Sequence, residues 1–473
     1  MDVPNMTRDA DAVDGTRRSY LKAIGTAGIA AGLAGCSGGG GSGDGGGGST
    51  GNGDSSGGGG DGGTEYAAIG NFPPEGDTVA IGFNGPTSGA LGPDGQDQEK
   101  GFDLAVTHLN DGGGLVDYWD RLSGGGIMGH QIEPSKADTA GSADTAQDNI
   151  DRMIQRDNIQ FWTGGMSSTV TMAMQNVAQR EKVPFMGGNS TSAGISGENC
   201  SRYYFHPTFH AEIIGMAMGE AAPAVLGEDR SLFHIYMDYS YGQSNRDAAR
   251  KYLTEQGPWE DAGGAAIAEG ETDHSSQIQA LEDSGADTLY FSSFGNFAAS
   301  GLAQLRDAGL TDDVDVIIPH VSAFTLDPLG ADAEGVLGME PWNPNADNEP
   351  SQVFVEAYQE EYGETPNQSS MHTYESMMVY AAAVEEAGTF HPPTVVRTLE
   401  EFEWSLAWGD SAYRTCDHQV ERPWYLVRGV GDDRADELGI RTEIVETTDP
   451  LVYECSEFPA SNCAMGDNPY GDE

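Results

Sequence analysis

Short apolar segments alternate with amphipathic helical segments over most of the chain, and this alternation limits the folds available to it. The segment TVAIGF at 78–83 has the length and composition of a buried strand, and Phe102, Val106 and Leu109 then share one face of a helix. Repeated strand–helix units imply parallel sheets with helices on both faces, so we predict an α/β fold. The same pattern predicts strands over 78–83, 159–162, 184–186, 232–237, 288–291 and 314–318, and helices over 98–109, 143–154, 170–181, 244–256, 275–283 and 298–308.

The length of the chain predicts two lobes. It has 473 residues, and the segment 37–64 is almost only Gly, Ser and Asp. After the first 75 or so residues, a stretch of about 400 remains, which is too long for one compact core and suits two lobes of about 150–250 residues each.

The loops that follow the predicted strands share one composition, rich in Gly, Ser, Thr, Asn and Tyr with few charges. Ligands of parallel sheets bind beyond the carboxyl ends of the strands, where these loops lie. Short hydroxyl groups and free backbone N–H groups there bind a carboxylate or another polar group. Ser167, Ser168 and Thr169 directly precede a predicted helix, so they are either helix caps or ligand contacts. The loops cover 84–95, 163–169, 187–192, 238–243, 292–296 and 319–323.

The charge balance excludes a nucleic-acid-binding protein. Lys and Arg number 23 against 75 Asp and Glu, a formal net charge of -52, which leaves little material for a basic patch. The acidic residues are dispersed through the folded part. Such a surface keeps a protein hydrated when salt screens its self-repulsion, so we predict adaptation to high salt. The alternative is a specific role such as cation buffering.

The first 36 residues predict export and a lipid anchor. Thr16–Lys22 reads TRRSYLK, a twin-arginine signal, and the apolar stretch 23–35 after it is too short to span a bilayer as a helix. This stretch ends in LAGC at 33–36, which resembles a lipobox with Cys36 as the lipid attachment site. We therefore expect a signal over 1–35, a flexible tether over 36–75, and a protein held on the outer face of the cell membrane. No other run approaches the length of a transmembrane helix.

The five cysteines allow two disulfides besides the lipid-bearing Cys36. Cys200, Cys416, Cys455 and Cys463 can pair in three ways, one of which closes a small loop between Cys455 and Cys463, or they can remain free thiols. None forms a CxxC pair, so we expect no zinc site.

Several segments of the chain resemble the branched-chain amino-acid-binding family, the type I periplasmic binding proteins of ABC transporters. The resemblance covers about residues 76–430 and depends on the order and spacing of the segments. The segments are FNGPTSGALGPDGQDQEKGFDLAV (83–106), FWTGGMSSTVTMAMQNVA (161–178), VPFMGGNSTS (183–192), IYMDYSYGQSNRDAA (235–249), YFSSFGNFAASGLAQLRDAGL (290–310) and TYESMMVYAAAVEEAG (373–388).

The resemblance implies two Rossmann-like lobes joined by three crossings that close on a ligand like a hinged clamp. It places lobe 1 at 76–206 and 338–390, and lobe 2 at 207–337 and 391–473. The implied function is capture of an amino acid or related solute for an ABC permease and its ATPase, by a monomer without a cofactor. A sensor that signals to a membrane transducer requires the same clamp and is the alternative.

The resemblance also implies the ligand contacts. Ser168, followed by Thr169, matches the serine that binds the α-carboxylate, and Asn189 and Thr191 match the contacts of the next loop. From lobe 2, Tyr241 matches a tyrosine that closes the site, and Phe294 falls near a second aromatic residue.

His320 departs from the family pattern. Amino-acid-binding members carry an acidic residue after the strand that corresponds to 314–318, and this residue pairs with the ligand ammonium. Here His320 falls about where the acid belongs, and no Asp or Glu follows before Asp327. A neutral imidazole is a poorer partner for an ammonium, and a protonated one favours an anion. Urea, short amides and aromatic acids therefore remain alternative ligands, and His320 is either a ligand contact or an ordinary loop residue.

An enzyme is the less favoured class. Between the predicted strands and helices there is no GxSxG elbow, P-loop, HExxH or GxGxxG motif. Asp417 and His418 lie after the last implied crossing, so we predict structural roles for them.

Overall fold

The computed structural model describes residues 66–268, 270–311, 313–450, 453–465 and 470–471. The twin-arginine segment, Cys36 and the tether up to residue 65 lie outside the described residues, so the predictions made for them stay predictions. Residues 65–473 form one compact unit.

The first sheet is entirely parallel, with the strand order β2-β1-β3-β4-β5. Ile81, Phe83 and Phe161 are fully buried because helices cover both faces of the sheet. Its strands are β1 (Thr78–Gly85), β2 (Gln131–Asp138), β3 (Phe161–Gly164), β4 (Phe185–Gly187) and β5 (Tyr204–Phe205).

The second sheet is mixed and has the order β15-β14-β10-β9-β8-β6-β7. Strands β7, β6, β8, β9 and β10 are parallel to one another, whereas β14 pairs antiparallel with both β10 and β15. Together the two sheets confirm the predicted α/β fold. The strands are β6 (Ser231–Met237), β7 (Glu260–Ile267), β8 (Thr288–Ser292), β9 (Asp315–Ile318), β10 (Leu337–Glu340), β14 (Tyr425–Gly429) and β15 (Thr442–Thr447), and a small antiparallel sheet contains β11 (Glu403–Leu406), β12 (Gly409–Tyr413) and β13 (Val420–Glu421).

Helices flank both large sheets. No helix among the described residues has the length and apolar character needed to cross a membrane. The helices are α1 (Gly92–Asp111), α2 (Gly114–Tyr118), α3 (Ala143–Arg152), α4 (Ser168–Glu181), α5 (Ala211–Leu226), α6 (Ser240–Ala249), α7 (Ser275–Ser284), α8 (Gly295–Asp307), α9 (Ala323–Leu326), α10 (Glu349–Tyr362), α11 (Gln368–Ala387), α12 (Pro392–Glu401) and α13 (Asp432–Leu438).

Helix α11 is the core helix of the first lobe, the part built on the first sheet. Every residue from Gln368 to Val384 is buried. It packs tightly against α1, where a Cβ added to Gly101 would lie 2.1 Å from the backbone oxygen of Ser370. Only glycine permits this approach. The contact holds the first turn of α11 against the middle of α1.

The chain passes between the two large sheets at 206–210, 341–348 and 422–424. After β15 it returns toward the first lobe, where Cys463 is bonded to Cys200, and Cys455 is bonded to Cys416 beside β12. Of the three pairings that the sequence allowed, the structure therefore contains one without the small Cys455–Cys463 loop.

The lobe boundaries inferred from the resemblance stay a prediction. Two packing observations bear on them. Strand β10 pairs with β9 and β14, so the chain leaves the second sheet after Glu340 rather than before residue 338. Helix α12 packs against α11 and β12, so the residues that follow 391 adjoin the first lobe.

Candidate functional site

A cleft between the two lobes is lined by residues from the loops and helix N-termini that follow the strands. The space between its walls is about 390 Å³ when its opening to solvent is counted. The lining residues are Leu91, Asp94, Met166, Asn189, Tyr239, Tyr241, Phe294, Gly295, His320, Ser322 and Thr325.

The strand order explains the position of the cleft. In the first sheet the chain adds strands on one side of β1 and then, from β3, on the other side, so the strand order reverses between β1 and β3. In the second sheet the order reverses in the same way between β6 and β8. Each of these positions is a topological switch point. Ligand sites of open α/β sheets lie at such switch points, beyond the carboxyl ends of the strands. Asp94 and Met166 follow β1 and β3, whereas Tyr239 and Phe294 follow β6 and β8. The two switch points thus face each other across the cleft.

The wall from the first lobe contains a chain of hydrogen bonds centred on Ser369. The Ser369 hydroxyl donates to Asp94 Oδ1 at 3.3 Å and accepts from Asn189 Nδ2 at 2.8 Å. Asp94 lies in the first turn of α1, and Ser369 lies in the first turn of α11. The close contact of these two helices at Gly101 therefore positions the carboxyl group.

Burial governs the protonation of the first-lobe carboxyl groups. Removal from water raises the pKa of Asp94 to about 7, although hydrogen bonds from Ser369 and Ser322 oppose the change. Burial also raises the pKa of Asp97 to about 7, against hydrogen bonds from Ser370 and Tyr358. Near neutral pH, Asp94 can thus exchange a proton or become ionised beside a cation.

The wall from the second lobe is aromatic. The rings of Tyr241 and Phe294 meet edge to face with centroids 5.1 Å apart, and the Tyr239 ring lies 6.0 Å from that of Tyr241. The Tyr241 hydroxyl donates to the Ser293 carbonyl oxygen at 3.1 Å, which fixes the ring. These residues give the cleft a rigid apolar surface with polar edges.

His320 closes the cleft between the two walls. One ring nitrogen, Nε2, lies 2.9 Å from Nε2 of Gln368 in the first lobe, and its ring packs edge-on against Phe209 with centroids 5.3 Å apart. Burial lowers the pKa of His320 to about 4. The imidazole is therefore neutral at physiological pH and does not attract an anion.

The lobes touch each other beside the cleft. The hydroxyl groups of Ser192 and Ser244 lie 3.2 Å apart, and Gln368 also donates to the Val321 carbonyl oxygen at 3.1 Å. Each contact joins a loop or helix of one lobe to the other lobe. The two lobes are therefore in contact beside the cleft.

The structure brings four of the residues predicted for the site into one cleft: Asn189, Tyr241, Phe294 and His320. Ser168 is buried and accepts a hydrogen bond from the Ser192 backbone N–H at 3.2 Å. Thr191 is buried as well, and Thr169 is exposed to solvent. These three do not line the cleft, and the assignment of all seven as ligand contacts stays a prediction.

Sequence reasoning missed several lining residues, of which Asp94 is the most important. It fell within a predicted loop because the helix was predicted to begin at residue 98, whereas α1 begins at Gly92. Pro93 at the start of the helix was the available signal, since proline favours the first turn. The other missed residues are Leu91, Met166, Tyr239, Gly295, Ser322 and Thr325.

Asp417 and His418 have the structural environment that was predicted for them. Asp417 accepts a hydrogen bond from the Tyr453 hydroxyl at 2.7 Å, and His418 Nε2 lies 2.9 Å from a carboxylate oxygen of Glu400. Among the described residues, no group of His, Cys, Asp and Glu is arranged to hold a metal ion.

A sequence profile of the periplasmic binding protein family matches residues 78–435, so the chain belongs to that family. The family consists of substrate-binding proteins. The Leu/Ile/Val-binding protein homolog 7 of Brucella abortus (strain 2308) is 25% identical over 343 residues, which cover 69% of this chain and 82% of that protein.

Two solved structures share the fold. The amino acid ABC transporter substrate-binding protein of Pseudomonas fluorescens Pf-5 has a TM-score of 0.71 and 20% identity, covering 80% of this chain and 97% of that one. An ABC transporter solute-binding protein of R. palustris in complex with benzoate has a TM-score of 0.68 and 19% identity, covering 80% and 98%. Similarity at this level of identity establishes the fold alone.

Proposed function

We propose that this protein is the extracellular substrate-binding component of an ABC importer. It captures branched-chain amino acids or related small polar solutes by closure of its lobes and delivers them to a membrane permease with its ATPase. The observation that carries this proposal is the cleft at the two facing switch points, lined by both lobes. A ligand that contacts both walls stabilises the closed form, which a permease can then recognise.

The helices around the cleft support a ligand that carries a carboxylate. Helices α4, α6 and α8 begin at Ser168, Ser240 and Gly295, close to the loops that line the cleft. A helix N-terminus presents free backbone N–H groups and the positive end of the helix dipole. The residues that precede α4 and α6 do not cap these helices with a side chain, whereas the Gly295 N–H at the start of α8 already donates to Thr325 Oγ1 at 3.2 Å. The N–H groups at the start of α4 and α6 can therefore bind the carboxylate of an amino acid.

The sequence supports the location of the proposed importer component. The twin-arginine segment directs export, and lipidation of Cys36 holds the protein at the outer face of the membrane. The Gly-rich segment 37–64 then gives the lobes a reach of roughly 30 Å from the anchor. We infer a monomer, because lobe closure requires free lobes and the strongly anionic chain opposes self-association.

Organic acids are the second candidate ligand class. The benzoate complex of the R. palustris protein favours this alternative, since it has the same fold. Two features of the cleft disfavour it here: none of the lining residues is Lys or Arg, and burial keeps His320 neutral. Amino acids thus remain the favoured class.

A ligand screen tests the proposal. The purified protein is melted in multimolar KCl with amino acids, amides, urea, amines and small carboxylates. A ligand at 100 times its dissociation constant adds about 2.7 kcal/mol to the free energy of unfolding and raises the melting temperature. We expect Leu, Ile or Val to do so, and we expect deletion of the gene to abolish cellular uptake of the same solute. Stabilisation by no solute, or uptake that persists after deletion, contradicts the proposed function.

A further inference from the structure

Asp94 is the one residue lining the cleft, within the part of the chain that the structure describes, whose side chain can carry a full negative charge. It is almost completely buried, with 4% of its surface exposed. No Lys or Arg is among the lining residues. A buried carboxylate requires a cation or several hydrogen bonds to remain ionised, and neighbouring side chains supply only hydroxyl donors. A cation from another molecule would therefore stabilise the ionised form of Asp94.

The hydrogen bonds around Ser369 leave a second acceptor beside this carboxyl group. Ser369 has one hydroxyl hydrogen, which goes to Asp94, so Asn189 must donate its N–H to the Ser369 oxygen. This requirement fixes the orientation of the Asn189 amide. Its other atom, Oδ1, is buried and has no hydrogen-bond partner among the described residues. Asn189 Oδ1 therefore lacks a donor, and Asp94 accepts only hydroxyl hydrogen bonds, from Ser369 and Ser322.

We propose that Asp94 binds a positively charged nitrogen of the ligand, with Asn189 Oδ1 as an accessory acceptor, so that the solutes captured in this cleft carry an ammonium or related cationic group. This inference rests on the proposed function, because it requires the cleft to be the solute site. An ammonium supplies a positive charge beside Asp94 and an N–H donor for Asn189 Oδ1.

The opposite wall of the cleft suits the same group. Tyr239, Tyr241 and Phe294 present aromatic rings to the space that Asp94 faces. The faces of aromatic rings attract cations, most strongly where water is excluded. A cationic nitrogen is thus stabilised from both lobes, and its binding favours the closed arrangement.

The Asp94 carboxyl group comes from α1 in the first lobe. The ammonium therefore binds to the first lobe, and the open protein can hold it before the lobes close.

The pH dependence of binding follows from the groups that face Asp94. These are Asp97 one turn along α1, Ser369 at the start of α11, and His320 and Ser322 from the loop after β9. Burial raises the pKa of Asp94 to about 7, so the ionised carboxylate becomes scarce below that pH. His320 is neutral there and supplies no positive charge that would keep Asp94 ionised. Affinity for a cationic ligand should fall by about tenfold per pH unit below that pKa.

Matched pairs of probes and a matched control variant test the inference. The probes are L-leucine with 4-methylpentanoate, and benzylamine with benzoate, since each pair differs chiefly by the amine. Asp94→Asn is compared with Asp97→Asn, which alters another buried carboxyl group on the same helix. Asp97 accepts hydrogen bonds from the Tyr358 hydroxyl and the Ser370 backbone N–H, and it does not line the cleft. Affinities are measured by calorimetry at pH 8, after circular dichroism has confirmed that each variant is folded.

We expect at least one amine-bearing probe to bind the wild type and its partner without the amine to bind at least about 30-fold more weakly. Asp94→Asn should lower the affinity for the amine-bearing probe by a similar factor. Asp97→Asn should lower this affinity by less than about threefold. If Asp94→Asn does not fold, the wild-type affinity measured from pH 8 to pH 6 should still decline as stated.

Three results would overturn the inference. One is equal binding of both members of a pair. Another is a pH-independent affinity together with an Asp94→Asn variant that binds normally. The third is failure of every amine to bind. If benzoate or urea binds and the lobes close, the inference fails while the proposed importer function stands. If no solute of any class binds, the proposed function fails too.

Discussion

At the scale of single residues, burial decides which protonation state each group in the cleft adopts. His320 loses its contact with water, and its pKa falls to about 4. Asp94 and Asp97 change in the opposite direction, to about 7. Between pH 4 and pH 6.5 the unfolded chain protonates His320 and the folded chain does not, so this residue makes the free energy of unfolding rise with pH. The two aspartates oppose that slope, because they hold protons in the folded state that they lose on unfolding.

Replacement of His320 should remove its share of this pH dependence. From pH 7 to pH 5, the free energy of unfolding of the wild type should fall by about 2 kcal/mol more than that of His320→Gln, since the unfolded imidazole titrates near 6.5 and the folded one near 4. Urea unfolding at both pH values measures the difference. The aspartates are common to both proteins and cancel. Equal slopes would contradict a buried neutral imidazole.

At the scale of elements, the N-terminus of α11 connects the lobes. Gln368 donates to Val321 across the cleft and contacts His320, while the next residue, Ser369, holds Asp94. The rest of the helix is buried against α1. The first turn of this buried helix therefore contacts the second lobe and also orients the Asp94 carboxyl group.

Gln368→Ala should weaken ligand binding by about fivefold, mainly through faster dissociation, because the closed form loses about 1 kcal/mol of hydrogen bonding between the lobes. Stopped-flow fluorescence with the ligand found in the screen measures the dissociation rate. Gln175→Ala is the matched control, since Gln175 is also buried but its amide donates to Ile195 and Asn199 within the first lobe. Equal dissociation rates in the two variants would argue against a contact that acts on closure.

The sequence predicted the central strands well because they are short apolar runs with both faces buried, as in β6 and β8. It missed β7, whose sequence EDAGGAAI is largely exposed at the sheet edge and lacks an apolar pattern. Asn189 and Tyr241, which the sequence predicted as site residues, line the cleft, although Tyr241 lies in the first turn of α6 rather than in a loop; their role as ligand contacts stays a prediction. The sequence could not find the role of Ser369, because that role arises from the packing of α11 on α1, far apart in the chain.

At the scale of the whole molecule, charge controls stability. The chain carries a formal net charge of -52, with 75 acidic residues against 23 Lys and Arg. Ion pairs such as those of Lys136 with Glu99 and Asp103 neutralise part of it locally. Folding brings the remaining carboxylates together, so their mutual repulsion opposes the folded state most strongly when the Debye length is long.

The melting temperature should therefore rise with KCl concentration. Between 0.1 M and 1 M salt the Debye length falls from about 10 Å to about 3 Å, which removes most of the repulsion between exposed carboxylates. We expect a rise of at least about 5 °C over this range, equivalent to about 4 kcal/mol for a folded part of about 400 residues. Calorimetric scans at pH 7 measure it, and the same scans near pH 4 are the control. There many carboxylates are protonated, so the charge is smaller and the salt effect should shrink. A rise of the same size at both pH values would mean that KCl acts through exclusion from the protein surface rather than through screening.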